Sequence, residues 1–361
     1  MEIKVLETKI ICKNRDSVHN YFGWPTVCKL QDGRLAMVAS GFRVAHICPF
    51  GTAVICFSED EGETWSKPVP IISTPLDDRD GGICTFGDKG VIVTSFNNKS
   101  DSLREWIDTD HPLHKKNEFE KKYISAYLDI MESKFKDEDK YYGSTFVMSH
   151  DGGKSFDEEI SFIPVTAPHG PCLLPDGNLL YVGENREKHI VESYKVYPDG
   201  TYEKLGEIEN IIDGVKQCEP YAVVLESGKV IVHLRMNKSR EYFTLAQCES
   251  DDFGKTFTKP HFILDNMGGA PSHMMVHSSG MLICAYGYRR RPDFGVKLMF
   301  SHDNGETWVD NQYLYKSQIT PDLGYPSTIE LSDGTMLTTF YAHETDESPA
   351  EIFQTKWKIE F

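Results

Sequence analysis

Trp24-Pro25-Thr26-Val27-Cys28-Lys29-Leu30-Gln31-Asp32-Gly33-Arg34-Leu35-Ala36-Met37-Val38 sets an apolar run on either side of an Asp-Gly turn. An Asp-Gly pair between apolar runs is a strong hairpin signal, because glycine supplies the positive φ that the turn demands. The same plan starts again at Gly82, Pro171, Pro220, Pro271 and Pro326. The turns are Gly87-Asp88-Lys89-Gly90, Pro175-Asp176-Gly177, Glu226-Ser227-Gly228, Ser278-Ser279-Gly280 and Ser332-Asp333-Gly334. Intervals of about 50 to 60 residues, with one near 90, suit repeat units of about four strands. The long interval predicts a helical insertion over about 100–140, where Phe119, Tyr123, Tyr127, Met131 and Phe135 recur at i, i+4 spacing. Such a helix could pack on the flank, act as a lid or meet another subunit.

A second motif lies between the hairpins. It reads Ser58-Glu59-Asp60-Glu61-Gly62-Glu63-Thr64-Trp65, Ser149-His150-Asp151-Gly152-Gly153-Lys154-Ser155-Phe156, Ser250-Asp251-Asp252-Phe253-Gly254-Lys255-Thr256-Phe257 and Ser301-His302-Asp303-Asn304-Gly305-Glu306-Thr307-Trp308. Each predicts a self-capping turn in which Asp accepts backbone N–H bonds, Gly takes the left-handed position and the aromatic residue buries itself beneath. These residues carry structure, so no catalytic role is expected of them. Four such turns resemble the Asp-box, or BNR, repeats of the sialidase superfamily, and with the six hairpins the resemblance covers nearly the whole chain. It implies an all-β, six-bladed β-propeller with Asp-box turns, with residues 1–361 as one domain. The last blade would close by pairing Ile3–Cys12 with Ile352–Phe361.

Composition narrows the function. The chain carries 55 Asp plus Glu against 38 Lys plus Arg, a surface that repels phosphate backbones and argues against nucleic acid. No run approaches the roughly 20 apolar residues of a membrane span, and the N-terminus does not resemble a signal peptide. The nine cysteines lack CxxC or metal-ligand spacing. They read as buried free thiols of a cytoplasmic protein. Without HxH or HExxH spacing, neither a metal nor another cofactor is expected.

Strand phase then locates a site. Inner strands of a propeller run in one direction, so the residues just before each repeat should meet at one mouth of the axis: Trp24, Asp80, His169, Glu219, Ala270 and Tyr325. A two-strand hairpin returns about 15 to 18 residues later, at Arg43 and His46, Asn97, Arg186, Arg235, Arg289 and His343. An isolated arginine at a strand end is ordinarily a solvated charge, a lone Tyr before Pro is ordinarily turn packing, and Asp80 after Arg79 could be a simple ion pair. Several arginines in one phase with Tyr and Glu form a cluster suited to gripping a carboxylate.

Here the resemblance becomes residue-specific. Gly324-Tyr325-Pro326-Ser327-Thr328 resembles the sialidase segment that carries a tyrosine nucleophile, and Cys218-Glu219-Pro220 with His233-Leu234-Arg235 resembles the segment with its paired Glu and a carboxylate-binding Arg. One of Arg289, Arg290 and Arg291 would supply another. A neutral phenol is a poor nucleophile, so the neighbouring carboxylate is chemically required. The sequence also departs from the family: Gly23-Trp24-Pro25 stands where an Arg-Ile-Pro segment is expected, leaving Arg43 as the substitute, and the acid/base falls to His46 or Asp80. The expected function is a retaining exo-glycosidase acting on a terminal, carboxylated sugar of an oligosaccharide or glycoside. Two alternatives stand beside it: a lyase or hydrolase on a uronate or neutral glycan end, using His46, His169 and His273, and a propeller that only binds glycans.

Overall fold

The computed structural model describes residues 2–107, 118–135, 137–210, 214–239, 242–264 and 271–360. Among them the strands form six four-stranded antiparallel sheets, the blades of a six-bladed β-propeller. The inner strands are Tyr21–Lys29, Asp77–Phe86, Cys172–Leu173, Lys216–Val224, Ser272–Val276 and Gly324–Glu330. In the first five blades the four strands follow one another in sequence. The sixth takes its outermost strand, Glu2–Cys12, from the start of the chain and pairs it with Ala350–Glu360, Ile10 opposite Phe353. Terminal residues therefore share one sheet, and the ring closes without an open seam.

Each seam between neighbouring blades holds its own apolar core. Val38, Ile55, Ile83 and Val93 fill the first-to-second seam. Val27, Met37, Leu337 and Ile352 fill the closing one between the sixth blade and the first. Burial of each such side chain contributes roughly 1.5–3 kcal/mol. The four Ser-x-Asp-x-Gly turns add polar staples across these seams. In the first blade the Ser58 hydroxyl donates to Asp60 (2.8 Å), while Asp60 accepts from the Thr64 N–H (2.8 Å) and hydroxyl (2.6 Å). Gly62 takes φ 83°, and its carbonyl accepts from Gln354 of the sixth blade at 2.8 Å. Trp65 is half-buried and donates its indole N–H to the same Gln354 at 2.8 Å. Trp308 of the fifth blade reaches Gln247 of the fourth in the same way, at 2.7 Å. The aromatic residue thus seals the turn to the preceding blade, where the sequence suggested burial beneath its own turn.

Among its described residues the insertion holds two α-helices, α1 (Ser100–Ile107) and α2 (Glu118–Lys134), and a short 3-10 turn at Glu138–Lys140. Leu103, Ile107, Ile124 and Leu128 pack on Val44, Ile47 and Cys48, the loop that follows the second strand of the first blade. The buried stripe is therefore Ile124, Leu128 and Met131. Phe119 and Phe135, expected on that stripe, are 57 % and 41 % exposed, because the small 44–50 loop covers only the middle of the helix. Arg104 ties the helices together by pairing with Asp129 and Glu132, both at 2.5 Å.

Candidate active site

Four inner strands begin with the same irregularity. Trp24, Asp80, Glu219 and Tyr325 all have positive φ (56°, 32°, 48° and 50°). Each sits at a break in register, between Gly23 and Thr26, Arg79 and Gly82, Cys218 and Tyr221, and Gly324 and Ser327. A left-handed L-residue costs on the order of 1–3 kcal/mol, and such bulges re-aim a side chain out of the strand's alternation. Asp80, Glu219 and Tyr325 line a cavity of about 650 Å³, together with His46, Arg79, Arg235 and Arg289. From α1 come Ser102, Glu105 and Trp106, so the insertion furnishes part of its wall.

Tyr325 donates its hydroxyl hydrogen to Glu219 Oε1 at 2.7 Å, and Glu219 Oε2 accepts from Arg235 Nη1 at 2.5 Å. Burial works against charge on Glu219, but the Arg235 cation and the Tyr325 hydrogen bond hold its pKa below the usual value. Burial, followed by the charges of Glu219 and Asp80, pushes the Tyr325 phenol well above its ordinary range. The pair is thus a neutral phenol against an ionised carboxylate, a proton donor already in contact with its acceptor.

Asp80 has the opposite character. It is 4 % exposed, and its Oδ1 has no hydrogen-bond partner among the described residues. Burial raises its pKa to about 7, the nearby Arg79 charge notwithstanding. A carboxyl in this state holds a proton near neutrality and can give it up. His46 is built differently. Burial lowers its pKa to about 4, and Nδ1 lies 2.8 Å from Asp322 Oδ1 and 2.9 Å from the Tyr21 hydroxyl. It is a neutral ring held in a structural network, with little capacity to donate a second proton at neutral pH.

Asp322 is the centre of that network, a residue that no motif or strand phase singled out. Besides His46 it accepts from Tyr21 (3.0 Å), Tyr341 (3.0 Å) and His343 (3.1 Å). Despite its burial, its interactions with His46 and His343 hold its pKa well below the carboxylate norm. Tyr341 in turn accepts from Arg289 Nη2 at 2.8 Å, while Arg289 Nε donates to the Leu323 carbonyl at 2.8 Å. Arg289 is thereby fixed 5.8 Å from the Tyr325 ring. Of the three consecutive arginines it is the one that lines the cavity; Arg291 is exposed and outside it.

Two residues expected to bind substrate lie behind the wall. Arg43 is fully buried, 2.6 Å from Asp77, and donates to the Ser40 hydroxyl and the His46 carbonyl. It anchors the 44–50 loop and does not reach the cavity. Trp24 is 1 % exposed and also outside the lining. Its ring carries Arg79 at 4.2 Å and packs on Tyr325 at 6.3 Å and Tyr341 at 5.8 Å. Arg79 is the guanidinium that lines the cavity on this side. Strict strand alternation would turn a residue beside Asp80 away from the mouth, but the bulge at Arg79/Gly82 breaks that alternation.

His169 and His273 are likewise outside the cavity, buried where the inner strands meet, with ring centroids 5.1 Å apart. His169 bonds Thr26 at 2.9 Å and His273 accepts from the Thr328 N–H at 3.3 Å. Burial lowers the pKa of both, His273 to about 3. Asn97 is buried in support of the Tyr141–Gly143 backbone, and Arg186 lines the cavity. Ala270 lies outside the described residues. Among the described residues no group of three or more His, Cys, Asp or Glu is placed to hold a metal ion, and no helix is long and apolar enough to cross a membrane.

The chain is thus a six-bladed propeller with carboxylates, guanidinium groups and a tyrosine gathered at one mouth. A family model described as a BNR repeat-like domain matches residues 130–338, and the chain belongs to that family. Solved structures share the fold at low identity. A protein of unknown function from Dyadobacter fermentans superposes with a TM-score of 0.73 at 19 % identity, over 99 % of both chains. The NanB sialidase of Streptococcus pneumoniae gives a TM-score of 0.67 at 14 % identity, covering 97 % of this chain and 70 % of that one. An α-L-arabinofuranosidase of Fusarium graminearum gives 0.63 at 11 % identity, over 98 % and 97 %. No curated protein sequence matches the chain.

Proposed function

We propose that this protein is a retaining, exo-acting glycoside hydrolase that removes a terminal carboxylated sugar from an oligosaccharide or glycoside, with Tyr325 as nucleophile. The observation that carries the reading is the 2.7 Å hydrogen bond from Tyr325 to Glu219, whose pKa is held low, in one cavity with Asp80, whose pKa burial raises to about 7. Propeller neighbours that include a sialidase and an arabinofuranosidase support a glycan substrate.

In the first step the Tyr325 oxygen attacks the anomeric carbon as its proton passes to Glu219. The glycosidic C–O bond breaks, and Asp80 delivers its proton to the departing oxygen. In the second step water attacks the same carbon from the other face, losing a proton to Asp80 while Glu219 returns one to Tyr325. Two inversions give net retention, and a tyrosine nucleophile departs from the usual pair of carboxylates in the way sialidases do. Burial raises the Asp80 pKa to about 7, so a large fraction carries a proton at neutral pH, and Asp80 suits the acid role better than His46. Arg79, Arg235 and Arg289 would grip the substrate carboxylate, Arg79 standing on Trp24 where the expected first-blade arginine is missing.

The test is a panel of aryl glycosides, sialosides and uronides included, run on the wild type and on Tyr325→Phe, Glu219→Gln and Asp80→Asn. Turnover of one acidic glycoside that collapses in Tyr325→Phe and Glu219→Gln, and in Asp80→Asn wherever the leaving group needs a proton, supports the reading. Full activity in Tyr325→Phe, or an unsaturated product absorbing in the ultraviolet, refutes it.

A further inference from the structure

A second concavity, of about 310 Å³, runs between the second and third blades and is lined by Tyr142, Phe162, Tyr202, Asn185, Arg186 and Glu187 among others. Arg186 borders both this groove and the mouth cavity. It is held rigidly there, donating to the Asn97 carbonyl (2.8 Å) and the Asn98 side chain (2.7 Å), with its guanidinium 4.7 Å from the Phe96 ring and 5.9 Å from the Tyr142 ring. Phe96 is itself part of the mouth lining. Arg186 is therefore a fixed side chain common to the walls of both concavities.

The groove's chemistry is that of a saccharide site. Phe162 and Tyr202 are 41 % and 40 % exposed, from different blades, although neighbouring strands bury comparable side chains. Flat rings bordered by Asn185, Arg186 and Glu187 suit the face of a pyranose, which stacks its C–H groups while its hydroxyls reach polar neighbours. Resting on the glycosidase reading, we infer that this groove is a distal binding site for the leaving-group side of an oligosaccharide whose acidic terminal sugar sits at Tyr325. The substrate is then an oligosaccharide that extends beyond its terminal sugar, and single-sugar glycosides use only part of the recognition surface.

The experiment measures binding, so it does not depend on turnover. 3′-Sialyllactose and a trigalacturonide, each beside its monosaccharide, are titrated calorimetrically into the catalytically blocked Tyr325→Phe chain, with and without Phe162→Ala and Tyr202→Ala together. At least one trisaccharide is expected to bind about tenfold or more tighter than its monosaccharide, and the double substitution should remove that advantage while leaving monosaccharide binding unchanged. Both rings are solvent-facing, and an unchanged melting temperature checks that folding is intact. An advantage that survives the double substitution, or no advantage or binding with either trisaccharide, overturns the inference. If the advantage behaves as expected but the wild type cleaves no glycoside, the groove stands and the catalytic reading falls. If acidic aryl glycosides are cleaved but chain length confers nothing, the reverse holds.

Discussion

Tyr325 of the sixth blade and Glu219 of the fourth meet across the propeller mouth through a 2.7 Å hydrogen bond, with Arg235 on the far oxygen of the carboxylate. Both residues sit in left-handed backbone, at φ 50° and 48°. Strain at matching positions of two blades is what turns these side chains towards each other. Glu219→Gln keeps the shape but cannot accept the phenolic proton. It is expected to lower kcat by about 10²–10⁴-fold with little change in KM, as read by steady-state kinetics on the active glycoside.

Asp80 sets the pH dependence. Its pKa is raised to about 7 by burial, so the acid form is present below that pH and lost above it. Activity should fall as pH rises through about 7, and Asp80→Asn should remove that limb, sparing only substrates whose leaving group needs no proton. The sign for stability follows from the same shift. Between the ordinary carboxyl range near 4 and about 7 the folded chain binds more protons than the unfolded one, so stability falls as pH rises through this window. Thermal melts of Asp80→Asn should lack this component of the decline and exceed the wild type at pH 8, by an amount on the order of 1–4 kcal/mol.

Arg79 tests the carboxylate grip. Its guanidinium lies 4.2 Å from the Trp24 ring and points a charge into the cavity. Arg79→Ala should raise KM for an acidic glycoside by about 10–100-fold, the loss of one charge-assisted contact, and should weaken the dependence of KM on salt. An unchanged KM would remove Arg79 from the binding set.

Arg43 and Asp77 make the contrasting case. Both are fully buried and 2.6 Å apart, with the 44–50 loop hung on Arg43. Asp77→Ala strands a buried charge and should destabilise the fold by about 3–5 kcal/mol, measured by chemical denaturation. Replacing an arginine that merely touched substrate would leave stability almost untouched.

The repeat was legible because its signals are local. Asp32-Gly33 and Ser332-Asp333-Gly334 announce hairpins from a few residues each, and their phase is enough to bring Asp80, Glu219 and Tyr325 to one mouth. What escaped depends on contacts remote in sequence. Arg43 fits the strand count, but Asp77 of the next blade captures it. Arg79 stands one place off the count, and only the bulge makes it face the cavity. Asp322 lies in a loop with no periodicity, and its partners Tyr21 and His46 are some 300 and 276 residues away. Phe119 and Phe135 follow a helical pattern, yet the surface that would cover them ends too soon.

The central claim is a covalent bond to Tyr325, and trapping that bond tests it most directly. The chain is incubated with a fluorinated acidic glycosyl fluoride, which slows the second step more than the first, then digested and analysed by mass spectrometry. The account predicts one added glycosyl mass on the peptide containing Tyr325, absent from Tyr325→Phe and slower to form in Glu219→Gln. A label on Glu219 or Asp80, or no label while the parent glycoside is still turned over, would contradict it.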